Sequence, residues 1–133
     1  MRFSLIKVVI PNKVTRIEGY AFKGCTSLKD VRLGTSVTTI KESAFHTCTA
    51  LERISIPASV KTIGEYCFAG CQNVWVIVFD GDAPVIGDWA FKNINARAYY
   101  PENNSTWTSD KMQNYGGSID WLKNIVFEPE EIE

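Results

Sequence analysis

The apolar positions of this chain recur at a fixed step. Ile17, Ile40, Ile63 and Ile86 are 23 residues apart, and so are Phe22, Phe45, Phe68 and Phe91. Cys25, Cys48 and Cys71 keep the step, as do Leu28, Leu51 and Val74. Val14, Val37 and Val60, then Val31, Ile54 and Ile77, and finally Ile10, Leu33, Ile56 and Phe79 complete the set. One unit reads Ile-Pro-x-x-Val-x-x-Ile-x-x-x-Ala-Phe-x-x-Cys-x-x-Leu-x-x-Val-x. A unit this short cannot bury its own apolar face. Copies must stack on one another, so the fold is a solenoid.

The spacing within the unit predicts its elements. Leu-x-x-Val-x-Ile ends in alternation, the mark of a strand with one face to the core and one to solvent. Val-x-x-Ile predicts a second short extended piece. Ala-Phe-x-x-Cys, between Ile17 and Cys25 and in each copy, predicts a tight helical turn that inserts its Phe into the core. Short parallel strands then run along the stack, with rungs about 4.8 Å apart. The first residues fit the same register, since Leu5, Val8 and Ile10 match Leu28, Val31 and Leu33. Arg2 stands where the column calls for Cys. The chain therefore opens in the middle of a repeat, as the C-terminal piece of a longer array would.

After Phe91 the period ends, and an end cap is expected, because a last rung exposes apolar core and open strand edges. AYYP (98–101) predicts a strand. TWTSDKMQNY (106–115) predicts a short helix opened by Ser or Thr and stopped by Gly116-Gly117. SIDWLKNIVF (118–127) predicts a last strand. The expected organisation is repeats over 1–97 (a partial first, three full and a modified last), an α+β cap over 98–127, and a solvated acidic tail over 128–133. Trp107, Tyr115, Trp121 and Phe127 bring aromatic area to the cap.

The outward columns of the strands change character along the stack. They read Ile6, Lys29, Glu52, Trp75, then Lys7, Asp30, Arg53, Val76, then Val9, Arg32, Ser55, Val78. Mid-stack they are charged or polar. Lys29 with Glu52, and Asp30 with Arg53, are placed to pair across rungs, each pair contributing about 1 kcal/mol at most. At the last rung all three columns turn apolar, and contiguous apolar surface marks an interface or a covered face. Two expectations follow. Either the closing segment shields part of Trp75, Val76 and Val78, or these residues, with Arg53 and Arg32, form the ligand-binding surface.

Composition narrows the function classes. The 133 residues are 45% hydrophobic and 22% charged, with net charge −1. That balance gives no electrostatic reason to expect nucleic acid or an anionic membrane as partner. No apolar run approaches the roughly 20 residues of a membrane span. MRFSLIKVVIP does not read as a signal peptide, because Lys7 splits its apolar run and no small-residue cleavage site follows.

Candidate chemistry is sparse. Cys25, Cys48 and Cys71 stand one per turn, whereas zinc sites want paired cysteines two to four apart. Rung spacing is also wider than a disulfide prefers. The cysteines, with Cys67 in the Ala column, read as small core residues. His46 shares its column with Lys23, Ala69 and Lys92, a tolerant surface position with no catalytic partner implied. Asp80, Asp82 and Asp88 lack the spacing of a calcium loop, and DGDAP builds a turn more simply. No metal, cofactor or catalytic constellation is expected.

IPNKVTRIEGYAFKGCTSLKDVRL and IPASVKTIGEYCFAGCQNV resemble BspA-type leucine-rich repeats. FDGDAPVIGDWAFKN, with ARAYYPENNSTWTSDKMQNYGGSIDW after it, resembles the terminal repeat and closing segment of such arrays in gut-dwelling bacteria. The resemblance implies a right-handed leucine-rich-repeat solenoid from a large, modular, cell-surface or secreted bacterial protein. Solenoids present extended, rigid faces suited to protein or glycan partners. The resemblance further implies a non-catalytic binding or adhesion module, with host matrix proteins such as fibronectin and fibrinogen, or other bacteria, as partners. The alternative is a structural spacer or capping segment of a larger secreted protein.

Overall fold

The computed structural model describes residues 4–124. Strands form where the repeat alternates. One side of each turn carries β1 (Lys7–Val9), β3 (Asp30–Arg32), β5 (Arg53–Ile56), β7 (Val76–Phe79), β9 (Asn95–Pro101) and β10 (Ser118–Asn124). The other side carries the two-residue strands β2 (Arg16–Ile17), β4 (Thr39–Ile40), β6 (Thr62–Ile63) and β8 (Val85–Ile86). All pairings are parallel, and the register follows the repeat: Ile17 on Ile40, Ile40 on Ile63, Ile54 on Ile77. A one-residue slip would turn the apolar columns to solvent, which is why the period fixes the register.

The core is a set of ladders. Phe22, Phe45, Phe68 and Phe91 stack with ring centroids 5.2, 5.3 and 6.3 Å apart. Leu28, Leu51 and Val74 are fully buried beside them. So are the cysteines. Cys48 Sγ donates to the Phe22 carbonyl at 3.2 Å and Cys71 Sγ to the Phe45 carbonyl at 3.0 Å. Contact with Cys48, and then burial, hold the Cys71 thiol far above its ordinary range, and burial does the same for Cys67. Thiols so placed act as small hydrophobes.

The Ala-Phe-x-x-Cys segment is a pair of linked reverse turns rather than a helical turn. Left-handed residues flank each copy: Tyr20 and Gly24, Ser43 and Thr47, Tyr66 and Gly70, Trp89 and Asn93. Alternate N–H groups divide their work. Ala21 and Lys23 donate locally, to Glu18 and Tyr20. Phe22, Phe45 and Phe68 donate to the next rung, to Ala44, Cys67 and Ala90, at 2.7–2.9 Å. The turns therefore obtain half their backbone hydrogen bonds by stacking, and an isolated unit would leave them unmade.

The sheet of β2, β4, β6 and β8 is continuous, but the outer sheet is not. β1 pairs only with β3, whereas β5, β7, β9 and β10 form a separate four-stranded sheet. At the end of β7, Asp80 N–H donates to the Ile56 carbonyl at 3.0 Å. The equivalent donor one rung earlier would be residue 57, which is Pro and has no N–H. Val31 and Leu33 remain partly exposed there, while their equivalents Ile54 and Ile56 are buried. The cross-rung ion pairs expected at this junction do not form. Asp30 turns back to Lys7 (3.9 Å) and along its own strand to Arg32 (3.5 Å), because β5 is not held in register beside it.

The stack is closed by aromatic packing. Trp107 lies edge-on to Phe79 at 4.8 Å and 5.5 Å from Trp121, with Tyr100 5.8 Å from Trp107. Tyr115 stands edge-on to Phe91 at 5.9 Å, ending the phenylalanine stack. The DGDAP turn is tied to the same segment. The Gly81 carbonyl accepts from the Trp107 indole N–H, Asp82 from the Asn104 amide, and Ala83 N–H donates to Thr106 Oγ1. Residues 106–115 form turns, not the predicted helix. Asn104 accepts from the Thr106 N–H and hydroxyl, and the Thr108 hydroxyl bonds Asp110, so short polar side chains take the place of helical bonds. β10 pairs with β9 over seven residues, as the predicted last strand requires up to Asn124. Residues 125–127, with Phe127, and the tail 128–133 lie outside the described residues.

Candidate functional site

The outward face of the outer sheet carries the residues singled out from the sequence. β5 presents Arg53 and Ser55, β7 presents Val76 and Val78, β9 presents Arg97 and Tyr99, and the register sets Arg53 beside Val76 and Val76 beside Arg97. The three apolar residues have different fates. Val76 is buried between its two arginine neighbours and Val78 is half-buried. Trp75 is 56% exposed, so shielding by the closing segment fails for this ring. The reason is local. The residues alongside it on the next rung are Asn95 and Ala96, both too short to cover an indole. Its backbone is fixed on both sides, by Trp75 N–H to the Glu52 carbonyl and Arg97 N–H to the Trp75 carbonyl, each at 3.0 Å.

Trp75 is the wall between two grooves. One, of about 310 Å³, is lined by Arg53, Trp75, Val76, Val78, Tyr99 and Asn124. The other, of about 420 Å³, is lined by Trp75, Asn95, Ala96, Arg97 and Asp120. A third, of about 460 Å³, opens at the break between β3 and β5 and takes in Arg32, Arg53 and Asp80. The structure thus brings Arg53, Trp75, Val76 and Val78 together, and joins Arg32 to them only through Arg53, which lines two grooves. Arg97, Tyr99 and Asp120 were missed by sequence reasoning. They lie past the last regular repeat, where the step shortens from 23 to 21 residues between β7 and β9, so extending the columns by period does not reach them.

A rigid aromatic flanked by arginines on a half-apolar face suits contact with another macromolecule. Trp, Tyr and Arg dominate binding energy at such interfaces because they bring area or bidentate donors at little entropic cost. His46 departs from expectation. It is half-buried, its Nδ1 has no hydrogen-bond partner, and burial, then Lys23 and Lys92, hold its pKa below the ordinary value. Among the described residues no three His, Cys, Asp or Glu side chains converge to hold a metal ion, and no helix is long and apolar enough to cross a membrane.

Comparison with known proteins agrees with this architecture. Residues 1–114 match the BspA type leucine rich repeat region, in six copies. A leucine-rich repeat protein from Bacteroides ovatus ATCC 8483 superposes with a TM-score of 0.64 at 30% identity, over 90% of this chain and 30% of its own. The leucine-rich repeat protein of T. pallidum does so with a TM-score of 0.68 at 25% identity, over 90% and 58%. One from Eubacterium ventriosum ATCC 27560, at 22% identity and a TM-score of 0.66 over 88% and 32%, shares the fold. This chain thus spans less than two thirds of each of these relatives. No curated protein matches it significantly. The chain belongs to the BspA-type leucine-rich repeat family, whose solenoids serve as protein-interaction scaffolds.

Proposed function

We propose that this chain is a binding module of an extracellular or cell-surface bacterial protein, and that it holds a protein partner on its outward sheet face. Trp75 is the anchor, Arg53, Val76 and Val78 line the groove beside it, and Arg32 extends the contact across the neighbouring groove. Matrix proteins of a host, or the surface of another bacterium, are the partners that family membership favours. The observation that carries this reading is the exposed Trp75 ring held between two grooves on the half-apolar outward face of the sheet. A large exposed aromatic within a patterned polar face is the usual mark of an interface.

The test is binding of immobilised fibronectin and fibrinogen, and of intact bacterial cells, by the purified chain and its Trp75→Ala and Arg53→Ala variants. Saturable binding weakened roughly tenfold by Trp75→Ala, about 1.4 kcal/mol, supports the reading. Absence of binding to all three, or binding indifferent to Trp75, rejects it. The second reading, a spacer that closes a longer array, is favoured by the aromatic seal of Phe79, Trp107, Trp121 and Tyr100 over the last rung. It gains if the folded chain binds nothing.

A further inference from the structure

A second surface lies on the turn edge, away from the strand face. Tyr20, Ser43, Tyr66 and Trp89 share one column of the repeat, at the left-handed residue that opens each reverse turn. Tyr20 is 51% exposed and Trp89 49%, and Tyr66 is half-exposed. Bulky side chains are poor choices for a left-handed backbone, where Gly or Asn fits without strain. The column nonetheless holds an aromatic in three of its four copies.

The neighbouring columns are polar and of both signs. Glu42, Glu65 and Asp88 immediately precede positions 43, 66 and 89, and all three are exposed. Lys23 Nζ lies 5.3 Å from the centre of the Tyr20 ring, and Lys92 Nζ 5.8 Å from that of Trp89. At the cap end the edge becomes concave. A cleft of about 440 Å³ is lined by Asp88, Trp89, Gln113, Tyr115 and Gly116. Gly116 lets the closing segment approach the indole closely. A Cβ there would come within 2.8 Å of Trp89 Cε3, and its φ of 89° disfavours a side chain in any case.

We propose that this edge binds a neutral, linear glycan, with the Trp89 cleft as its principal subsite and Tyr66 and Tyr20 as further stacking platforms along the chain. Three features of the edge select that ligand. A pyranose ring presents a face of C–H bonds that packs on an aromatic ring, while its hydroxyls need both acceptors and donors at the rim. Asp88 and Gln113 supply acceptors at the cleft, and Lys92 a donor. Tyr66 lies one rung and Tyr20 three rungs from Trp89, about 5 and 14 Å along the stack, so the aromatic platforms run along the axis as a linear ligand would. Glu42, Glu65 and Asp88 share the edge with Lys23 and Lys92, so no single-sign field favours a charged polymer.

The experiment is affinity electrophoresis of the purified chain through gels holding a soluble β-1,3-glucan, a β-mannan, a xylan or, as the anionic comparison, heparin. Calorimetry with the matching oligosaccharide follows. At least one neutral polymer is expected to retard the protein. Trp89→Ala should weaken binding roughly tenfold and Tyr66→Ala severalfold, while Trp89→Tyr keeps most of it. Trp75→Ala should change nothing, which separates this edge from the protein-binding face. If Trp89→Ala melts at a lower temperature, Asp88→Ala and Gln113→Ala carry the same expectation without removing the ring. Retardation by heparin alone, no retardation by any polymer, or binding that survives both Trp89→Ala and Asp88→Ala would overturn the proposal.

Discussion

The two long sides of this solenoid obey the same period and behave differently. On the phenylalanine side, four rings stack over four rungs, and the turns beneath them donate from each rung to the next without interruption. On the strand side, the apolar columns keep the same step, yet the sheet parts between β3 and β5. Side chains alone therefore do not make a continuous ladder. A stacked ring needs only a neighbour of the same shape, whereas a parallel ladder needs donors and acceptors in register; at the gap Pro57 has no N–H, and Glu52 makes no counterpart of the bond that Trp75 N–H gives to the rung before it. The gap is where Val31 and Leu33 reach solvent and where the 460 Å³ groove opens.

The largest effect should come from breaking the continuous side. Phe45→Ala removes the second ring of the stack and leaves a cavity between Phe22 and Phe68, at a cost of about 3–5 kcal/mol. Urea denaturation should show it as a large fall in the midpoint. Leu33→Ala, an equivalent large-to-small change at the gap, should cost less than half as much, because that side chain is already partly hydrated. Equal losses would mean that the two sides are equally packed.

Closing the gap sharpens the comparison in the other direction. Pro57→Ala restores an N–H that the repeat would set against the Leu33 carbonyl, as Asp80 N–H is set against that of Ile56. The new hydrogen bond and the added freedom of the unfolded chain nearly cancel, so stability should move by no more than about 1 kcal/mol. The informative readout is hydrogen exchange: the amide at position 57 and those of Val31 to Leu33 should gain protection. Unchanged exchange would show that something other than the missing donor holds the sheet apart.

Trp75→Ala should leave stability within about 0.5 kcal/mol of the parent, since its ring is exposed and only its backbone is tied into the sheet. A large drop in the melting temperature would place the indole in the core and remove it as a binding anchor. The smallest effect concerns His46. Its pKa is lowered on folding, so the unfolded chain binds its proton more tightly. Its contribution is therefore fully present above the unfolded value, about 6.5, and is lost as pH falls through that value toward the lower folded one. Between pH 7 and 5 the parent should lose slightly more stability than His46→Gln, as a comparison of thermal melts would detect.

Most of the architecture was legible because it is periodic. Ile17, Phe22, Cys25, Leu28 and their copies each meet the residue 23 positions on, and one repeat states the packing of the next. Legibility ends where the period does. The stretch 106–115 has the length and polarity of a short helix, but Trp107 is pulled to Gly81 and Phe79 and its neighbours bond within turns. The candidate face was half legible. The columns pointed to Trp75, Val76 and Val78 as anomalies, but could not separate a buried Val76 from an exposed Trp75.

By itself, the sequence determined the solenoid, its register, its core ladders and the aromatic means of closing it. Those follow from local spacing, because each unit buries its apolar face only against a copy of itself. The tertiary structure alone decided three things. Which outward residues are covered depends on the size of neighbours past the last repeat, where the step shortens and Asn95 and Ala96 fall beside Trp75. Whether the outer ladder is continuous depends on how the strands of neighbouring rungs lie against one another. Where the clefts beside Trp75 and Trp89 form depends on the closing segment, which brings Tyr115 and Gly116 beside Trp89 and Tyr99 beside Val78 across distances that no 23-residue period encodes.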